Sequence, residues 1–216
     1  MYGKVGRKKA VLVKLYYFEW LNMTAEEYAL VLDFMPQGKA SASKAEPVAQ
    51  VMGKDFFTLL EVVPKIGVNL TVGEEIYVGK DERPKIELVK GRISYKDLTS
   101  NSLSEIDEVI SKIVKSKKEK FLAFFNTSRA ISLRRHQLEL LPGMGKKHML
   151  AILDEREKKP FANLEEVVVR VKGTPDPVKS IVKRVMEELQ DPEDKHYLFV
   201  RPPAEPRPQQ FSGRRF

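Results

Sequence analysis

One short glycine turn, residues 141–147, carries the chemistry most easily recognised in this sequence. A proline stops the preceding helix, and Gly143 and Gly145 permit positive φ and a close approach of the backbone to a ligand. Apolar spacing predicts helices over 132–141 and 145–158, so the turn should leave unpaired amides at the start of the second helix. Those amides and the positive end of the helix dipole favour an anion such as phosphate.

Basic residues surround this turn. Lys146 and Lys147 follow it directly, and the segment 115–147 holds nine Lys and Arg residues against two acidic residues, a net charge of +7. The whole chain carries +8, with further basic segments at 1–22 and 201–216. Segregated positive charge indicates a polyanion partner. A solvated helix surface is the common alternative for a charge run, and the overlap with the glycine turn favours the polyanion.

We therefore predict a contact with nucleic acid that recognises backbone phosphates without recognising base sequence. The turn would supply amides, and the neighbouring basic side chains would supply charge. The predicted contact residues are Gly143, Met144, Gly145, Lys146, Lys147, Arg134, Arg135, Lys117 and Lys118.

Composition limits the class of protein. The chain has 216 residues, of which 42% are hydrophobic, enough for one or two domains with their own cores. It has no cysteine, which excludes disulfides, thiol nucleophiles and cysteine-based metal sites and fits a reducing compartment. No apolar run approaches the roughly 20 residues that span a bilayer. We expect a cytoplasmic protein with no membrane partner.

The sequence before the basic segment predicts a small β-barrel. Short runs of β-branched and aromatic residues, separated by Gly, Pro and acidic turns, are typical of strands. The predicted strands are 28–35, 47–52, 56–63, 75–78 and 85–94. Five short strands fit an oligonucleotide-binding (OB) barrel, and they also fit an SH3-like barrel. Aromatic residues on such barrels can stack on unpaired bases, although packing in the core is their commoner role.

Helices follow these strands. A capping-box pattern at Ser104 and the apolar stripe after it predict a long helix that links the barrel to the C-terminal half. A second hairpin is similar to the first but lacks the Gly-x-Gly step. Asn163 is the predicted cap of its first helix, and Asp176 is the predicted cap of the next, with Pro177 as the first helical residue. The apolar run 197–200 predicts a strand that returns to the barrel edge.

These features resemble known proteins in two ways. The stretch 138–152 resembles the helix-hairpin-helix motif of DNA- and RNA-binding proteins, and in related motifs a monovalent cation sits on the hairpin carbonyls. The order of the parts resembles the archaeal family called domain of unknown function 655. The resemblance rests on EYALVLDFMPQG at 27–38, the barrel, the hairpin pair and YLFVRP at 197–202, and it covers about 23–203.

The family resemblance implies a nucleic-acid-binding protein. Genes of this family tend to neighbour genes for a ribosomal protein, an RNA polymerase subunit and a ribosomal RNA methyltransferase, which favours RNA as the partner. The expected fold class is α+β, a small OB-like β-barrel followed by an all-α helix-hairpin-helix pair. The predicted segments are a basic extension at 1–22, the barrel at 23–98, a connecting basic helix at 99–130, a tandem helix-hairpin-helix domain at 131–190, and a returning strand with a basic Pro-rich tail at 191–216. Either Met1 or Met23 could be the native start.

Catalysis has little support in the sequence. The three histidines, His136, His148 and His196, lack metal-ligand spacing, and phosphate-loop and nucleophile-elbow motifs are absent. We expect a non-catalytic protein that binds RNA, either ribosomal RNA or a ribosomal subunit, with no cofactor and no small-molecule substrate. The alternative is a DNA-binding or DNA-repair protein with the same hairpin, and a less favoured one is a glycosylase or lyase that uses Asp154 or Asp176.

Overall fold

The structure is a computed structural model that describes residues 25–39 and 46–202. It is a mixed α+β fold in which a sheet is followed by helices. The predicted extension at 1–22, the choice between Met1 and Met23, and the tail after Pro202 lie outside the described residues.

Five strands form one antiparallel sheet. They are β1 (Tyr28–Met35), β2 (Val48–Gly53), β3 (Leu59–Pro64), β4 (Glu75–Tyr77) and β5 (Ile86–Arg92). Their order is β4-β1-β2-β3-β5, and shifts of register in the β1–β2 and β3–β5 pairs curl the sheet. The five predicted strands are confirmed. The barrel itself is a half-barrel, because β4 and β5 lie at opposite edges of the sheet and do not pair.

The helical half contains five α-helices among the described residues. They are α1 (Ser100–Ser116), α2 (Lys118–Thr127), α3 (Lys146–Lys158), α4 (Leu164–Arg170) and α5 (Pro177–Gln190). Two 3₁₀ helices cover Tyr95–Asp97 and Gln137–Leu140, and a small hairpin pairs β6 (Ala130–Ser132) with β7 (Arg135–His136). None of these helices combines the length and apolarity that a membrane crossing requires.

The half-barrel buries side chains on both faces. On the inner face, residues such as Val31, Val51 and Val62 form one apolar cluster. On the outer face, Leu30 and Met52 belong to a second cluster that includes residues of all five helices. The outer surface of β1 and β2 is therefore packed against helices and is not open to a ligand.

A buried polar network fixes the start of α1 on the sheet. The Gln50 side chain is fully buried; its oxygen accepts from the Thr99 amide at 2.9 Å and the Ser102 hydroxyl at 2.7 Å, and its nitrogen donates to the Asp97 carbonyl at 2.8 Å. The Thr99 hydroxyl also donates to the Asp33 carboxylate at 2.7 Å. Because each buried polar atom has a partner, the helix can cover the sheet without leaving an unpaired group.

The predicted connecting helix begins earlier than expected and is broken. Thr99 is its N-cap and accepts from the Ser102 amide, whereas Ser104 is the fifth helical residue and donates to the Asn101 carbonyl. The prediction of a cap at Ser104 is wrong, because Thr99 offers the same capping chemistry where the sheet requires the helix to start. The backbone of Lys117, with φ −114° and ψ 38°, is not helical and separates α1 from α2.

The predicted α-helix over 132–141 is wrong. This stretch forms β7 and the 3₁₀ helix Gln137–Leu140, which His136 caps: its Nδ1 accepts from the Leu138 amide at 3.1 Å, and Glu139 accepts from the His136 amide at 2.8 Å. Leu138 and Leu141 are three residues apart, a spacing that a 3₁₀ helix places on one face as well as an α-helix does.

Two buried carboxylates hold the irregular segments. Glu26 accepts from the amides of Asp55, Phe56 and Thr58 at 2.8 to 3.0 Å, and so fixes the β2–β3 connection. Glu188 accepts from the amides of Leu198, Phe199 and Val200 at 2.8 to 3.0 Å and from Arg184 at 2.8 Å. Each carboxylate replaces the partners that a strand ladder would have supplied.

The second carboxylate explains why 197–200 is not a strand. The amides of Leu198, Phe199 and Val200 donate to Glu188, so they are not available for hydrogen bonds to another strand. The prediction of a strand over 197–200 is wrong. The predicted return to the sheet does occur. The Arg201 amide donates to the Phe56 carbonyl at 3.1 Å, and the Arg201 guanidinium lies 3.9 Å from the centroid of the Phe56 ring.

Replacing Glu26 with Gln should destabilise the protein by about 2 kcal/mol, because the amide side chain offers one acceptor oxygen and places a donor against backbone donors. The matched control is Glu27→Gln, since Glu27 is exposed beside it. Free energies of unfolding from urea titrations should fall for Glu26→Gln alone. Equal free energies for the two variants would contradict this role of Glu26.

Lys120 has an unusual environment. Its ammonium donates to the Asp55 carbonyl and lies 5.6 to 5.9 Å from the ring centroids of Phe56, Phe57 and Phe121. Burial, and secondly the positive charge of Lys117, lower the pKa of Lys120 to about 7.

The free energy of unfolding should therefore rise with pH between about pH 7 and pH 10. In this window the unfolded chain, where the lysine pKa is near 10.5, binds a proton that the folded chain has released. The slope contributed by one such group approaches about 1.4 kcal/mol per pH unit. Urea titrations at several pH values should show that Lys120→Met removes this slope and that Lys115→Met, on the exposed side of α1, does not. If Lys120→Met keeps the original slope of unfolding free energy against pH, another group must cause the pH dependence.

Candidate nucleic-acid interface

The glycine turn leads from the 3₁₀ helix into α3. The Met144 amide donates to the Leu141 carbonyl at 2.9 Å, and Gly143 has φ +82°, a left-handed conformation that glycine adopts without strain. Gly145 is the N-cap of α3, with extended backbone and no side chain to accept from the helix. The predicted helix after the turn is confirmed as Lys146–Lys158.

The first turn of α3 presents donors without a protein acceptor among the described residues. The first bond of the helix runs from the Met149 amide to the Gly145 carbonyl at 3.0 Å, so the amides of Lys146, Lys147 and His148 precede the intrahelical ladder. The first turn contains no acidic residue. An anion placed here would meet free amides, the positive end of the helix dipole and two lysine side chains.

Two apolar side chains anchor the turn and leave its backbone outside. Leu141 and Met144 are buried, whereas Gly143, Gly145 and the two lysines that follow are exposed. Met144 can therefore serve a ligand through its backbone, not through its side chain.

A second turn lies against the first and has the same hydrogen-bond pattern. Gly173 has φ +81°, and the Thr174 amide donates to the Val171 carbonyl at 3.3 Å. A Cβ atom added to Gly143 would lie 3.3 Å from Cγ of Pro175 in this second turn.

The second turn differs from the first in the backbone amides at the start of the helix that follows it. The predicted cap is confirmed, since the Asp176 carboxylate accepts from the Lys179 amide at 3.0 Å, and Pro177 follows as the first helical residue. The carboxylate occupies the helix start with negative charge, and the proline removes a donor. The second turn thus repels the anion that the first would attract.

Arg135 is the predicted basic residue that the structure places beside the turn. It lines a groove of about 510 Å³ together with Gly143, Met144 and Gly145, and the same lining includes Glu139, Arg184 and Glu187. Arg134 is exposed one residue earlier, in the connection of the β6–β7 hairpin.

Leu133, next to Arg134, is a feature that sequence reasoning missed. Its exposed fraction is 107%, so it projects fully into solvent from the hairpin tip. The sequence did contain a signal for this exposure. Leu133 lies between a serine and two arginines and belongs to no periodic apolar pattern that would place it in the core.

Lys117 and Lys118 do not line this groove. Lys117 forms an ion pair with Asp55 of the β2–β3 connection. Lys118 lies 3.3 Å from the Glu165 carboxylate at the start of α4, with both side chains exposed. The structure therefore brings together the turn, its two lysines and Arg135, and it places Lys117 and Lys118 against carboxylates elsewhere.

The aromatic residues of the half-barrel are mostly unavailable. Phe56 and Phe57 lie in the β2–β3 connection, not in a strand, and both are buried. Tyr28 is 44% exposed, and its ring packs edge-on against Tyr77 with centroids 5.3 Å apart. Tyr95 is half-buried beside β5.

Two of the three histidines, His136 and His196, have local structural roles. Burial lowers the pKa of His136, whose Nδ1 accepts a backbone hydrogen bond in the cap of the 3₁₀ helix. The His196 amide and carbonyl bind Asp194 and Arg184. No group of three or more potential metal ligands occurs within 25–39 and 46–202.

The half-barrel and the turn both lie within a single family match. The family model described as "Protein of unknown function (DUF655)" matches residues 25–201. The chain belongs to this family. The DUF655 match ends at the last residues of the segment that returns to the sheet.

Two similar proteins come from archaea. The DUF655 chain is 41% identical over 177 residues to the uncharacterized protein MJ0038 of Methanocaldococcus jannaschii, covering 82% of this chain and 80% of the relative. It is also similar to the crystal structure of Af1531 from Archaeoglobus fulgidus, with 44% identity and a TM-score of 0.76, covering 82% of this chain and all of the other.

Replacing Gly143 with Ala should destabilise the protein by about 1 to 2 kcal/mol, because a left-handed conformation costs this much when a Cβ is present. The new Cβ would also press on Pro175. The control is Gly145→Ala, where φ is −80° and a Cβ would meet no atom within 4 Å. Urea titrations should show a smaller loss for the control, which exchanges an N-cap glycine for the less favoured alanine but needs no left-handed conformation. Similar losses at both positions would mean that the turn does not require a left-handed residue.

Proposed function

We propose that this protein binds nucleic acid by receiving a backbone phosphate at the start of α3, with RNA as the preferred partner and no catalytic step. The observation that carries the proposal is the exposed first turn of α3. It has no capping side chain, no acidic residue and two adjacent lysines.

The contact would be electrostatic and insensitive to base sequence. Phosphate oxygens accept from the amides after Gly145, while Lys146 and Lys147 add full charges beside them. Arg135 adds one further positive charge beside the turn. Arg134 and the projecting Leu133 at the hairpin tip would contact the same nucleic acid next to the bound phosphate.

The arrangement of the two turns supports an interpretation as a helix-hairpin-helix pair. The two glycine turns pack against each other, and each leads into a helix, α3 or α5. The first turn leads into a helix start with no acidic residue, whereas the Asp176 carboxylate caps the helix after the second, so we assign the phosphate to the first turn and a scaffolding role to the second.

A monovalent cation on the hairpin carbonyls stays a prediction. The Pro142 carbonyl already accepts from the Ser180 hydroxyl at 3.1 Å, and the Leu141 carbonyl accepts from Met144. The cation would share these oxygens with existing donors, so the proposal does not depend on it.

RNA is favoured over DNA by the gene neighbourhood of the family, and ribosomal RNA in a ribosomal subunit is the proposed setting. The aspartates that a glycosylase or lyase would use are engaged elsewhere: Asp154 pairs with Lys158 at 2.6 Å, and Asp176 caps α5. This favours a binding role over catalysis.

The test is charge reversal at the turn. Lys146→Glu combined with Lys147→Glu should weaken binding to structured RNA at least about tenfold, because two lysines that neutralise phosphates are lost. The slope of log K against log salt should become less steep by about 1.4 to 1.8. Fluorescence anisotropy across a salt series measures both quantities.

The control reverses two charges on the half-barrel, Lys65→Glu with Lys80→Glu, which changes the net charge equally. Its affinity should stay close to that of the parent. An unchanged salt slope in the Lys146/Lys147 variant would show that the turn is not the contact. The same titrations with DNA of matching sequence decide between RNA and DNA, and cosedimentation with ribosomal subunits tests the proposed setting.

A further inference from the structure

The β6–β7 hairpin carries a fully exposed leucine beside the proposed phosphate contact. Ser132 pairs with Arg135, and Leu133 and Arg134 form the two-residue connection between the strands. The Arg134 amide donates to the Ser132 hydroxyl at 3.3 Å, and the exposed fraction of Leu133 is 107%. Arg135 lines the groove of the glycine turn, and Leu133 precedes it by two residues, or about 7 Å of chain at most. The hairpin tip therefore lies next to the proposed phosphate contact.

Hydrogen bonds fix the base of the hairpin. The Gln137 amide donates to the Arg129 carbonyl at 3.0 Å, and the Gln137 side-chain oxygen accepts from the Arg129 amide at 2.7 Å. Arg156 of α3 donates to the Ser128 hydroxyl at 2.9 Å and to the Ser128 carbonyl at 2.8 Å. Because α3 holds the hairpin and also begins at the glycine turn, the leucine and the phosphate contact have a fixed relative position.

The hairpin carries positive charge that no ion pair neutralises within the described part of the chain. Residues 129–135 contain three arginines and no acidic residue, and all three arginines are exposed. The nearby carboxylate of Glu139 accepts from the His136 amide. An anionic partner is therefore attracted to the chain on both sides of Leu133.

An apolar side chain between cations fits a partner with two chemical properties. The partner must be anionic on its surface, and it must offer an apolar surface within reach of one side chain. Nucleic acid has both properties, because its phosphates lie outside and the faces of its bases lie inside the stack. Leucine is one of the side chains that proteins insert between stacked bases.

Free energies decide which conformation of nucleic acid accepts the leucine. Burying one leucine is favourable by an amount similar to the cost of unstacking one paired base step. At a regular paired step the gain and the cost therefore nearly cancel. At a bulge or at the end of a duplex the stack is already open, so the gain is realised.

We propose that the β6–β7 hairpin inserts Leu133 into an interrupted base stack, and that the preferred partner is RNA with a bulge or a duplex end. Arg134 and Arg135 attract the phosphates beside the open step. This rests on the proposed function, and it adds recognition of RNA shape to a phosphate contact that is insensitive to base sequence.

The test compares a fully paired RNA hairpin with the same RNA containing one bulged nucleotide. The parent should bind the bulged RNA roughly tenfold more tightly, and Leu133→Ala should lose this preference while it keeps its affinity for the paired RNA. The salt slope should stay unchanged, because leucine neutralises no phosphate. Leu133→Met, which keeps an apolar side chain of similar volume, should retain most of the preference.

The matched control is Ile66→Ala. Ile66 is also fully exposed, at 104%, but it lies in the connection that follows β3 of the half-barrel. This variant should bind both RNAs as the parent does, and both alanine variants should keep the Tm of the parent, since neither side chain is buried. A 2-aminopurine beside the bulge should fluoresce more strongly when the parent binds than when Leu133→Ala binds, because insertion unstacks it.

The outcomes separate this proposal from the phosphate contact. Equal binding of the two RNAs by the parent, or an equal loss for both RNAs in Leu133→Ala, overturns the insertion of Leu133 even if the Lys146/Lys147 variant loses RNA. If Leu133→Ala loses the preference while the Lys146/Lys147 variant keeps its affinities and its salt slope, the insertion is supported and the phosphate contact is overturned. If Leu133→Ala keeps both RNA affinities but loses a concentration-dependent self-association in sedimentation, the hairpin tip contacts a second copy of the chain, and the insertion is overturned.

Discussion

The fold depends on finding partners for backbone amides outside regular structure. Glu26 and Glu188 each gather three consecutive or near-consecutive amides, one in the β2–β3 connection and one in the returning segment. Burying a carboxylate is costly, and several short charge-assisted bonds offset that cost. The two segments then meet at Phe56 and Arg201, so the sheet and the helical half are joined by irregular chain that carboxylates hold in place.

The start of α3 differs from the starts of the other helices. Thr99, Asn163 and Asp176 cap α1, α4 and α5 with side-chain oxygens. Neither α2 nor α3 has a capping side chain, but α2 follows α1 directly through Lys117 and has Glu119 in its first turn, whereas α3 begins after Gly145 with two lysines and no acidic residue. The donors of α3 are held outward by the buried Leu141 and Met144, and this is why we place the phosphate there.

Local patterns predicted much of this molecule. Short runs of β-branched and aromatic residues between turn residues located all five strands, and the caps at Asn163 and Asp176 follow from chemistry within a few residues. The prediction of an α-helix over 132–141 was wrong because an apolar spacing of three residues also fits a 3₁₀ helix. The prediction of a strand over 197–200 was wrong because the amides of this segment bind the Glu188 side chain and not a neighbouring strand. The contact of Arg201 with Phe56 could not be predicted, since these residues meet only after folding.

The contacts of the β2–β3 connection also bring the ends of the described chain together. Glu26, near the first described residue, and Arg201, near the last, both bind residues of the same short connection. The first and last described residues therefore lie on the same side of the fold, beside the β2–β3 connection. A domain with adjoining ends can be inserted into a loop of another protein, or opened at a different loop, with little loss of chain entropy.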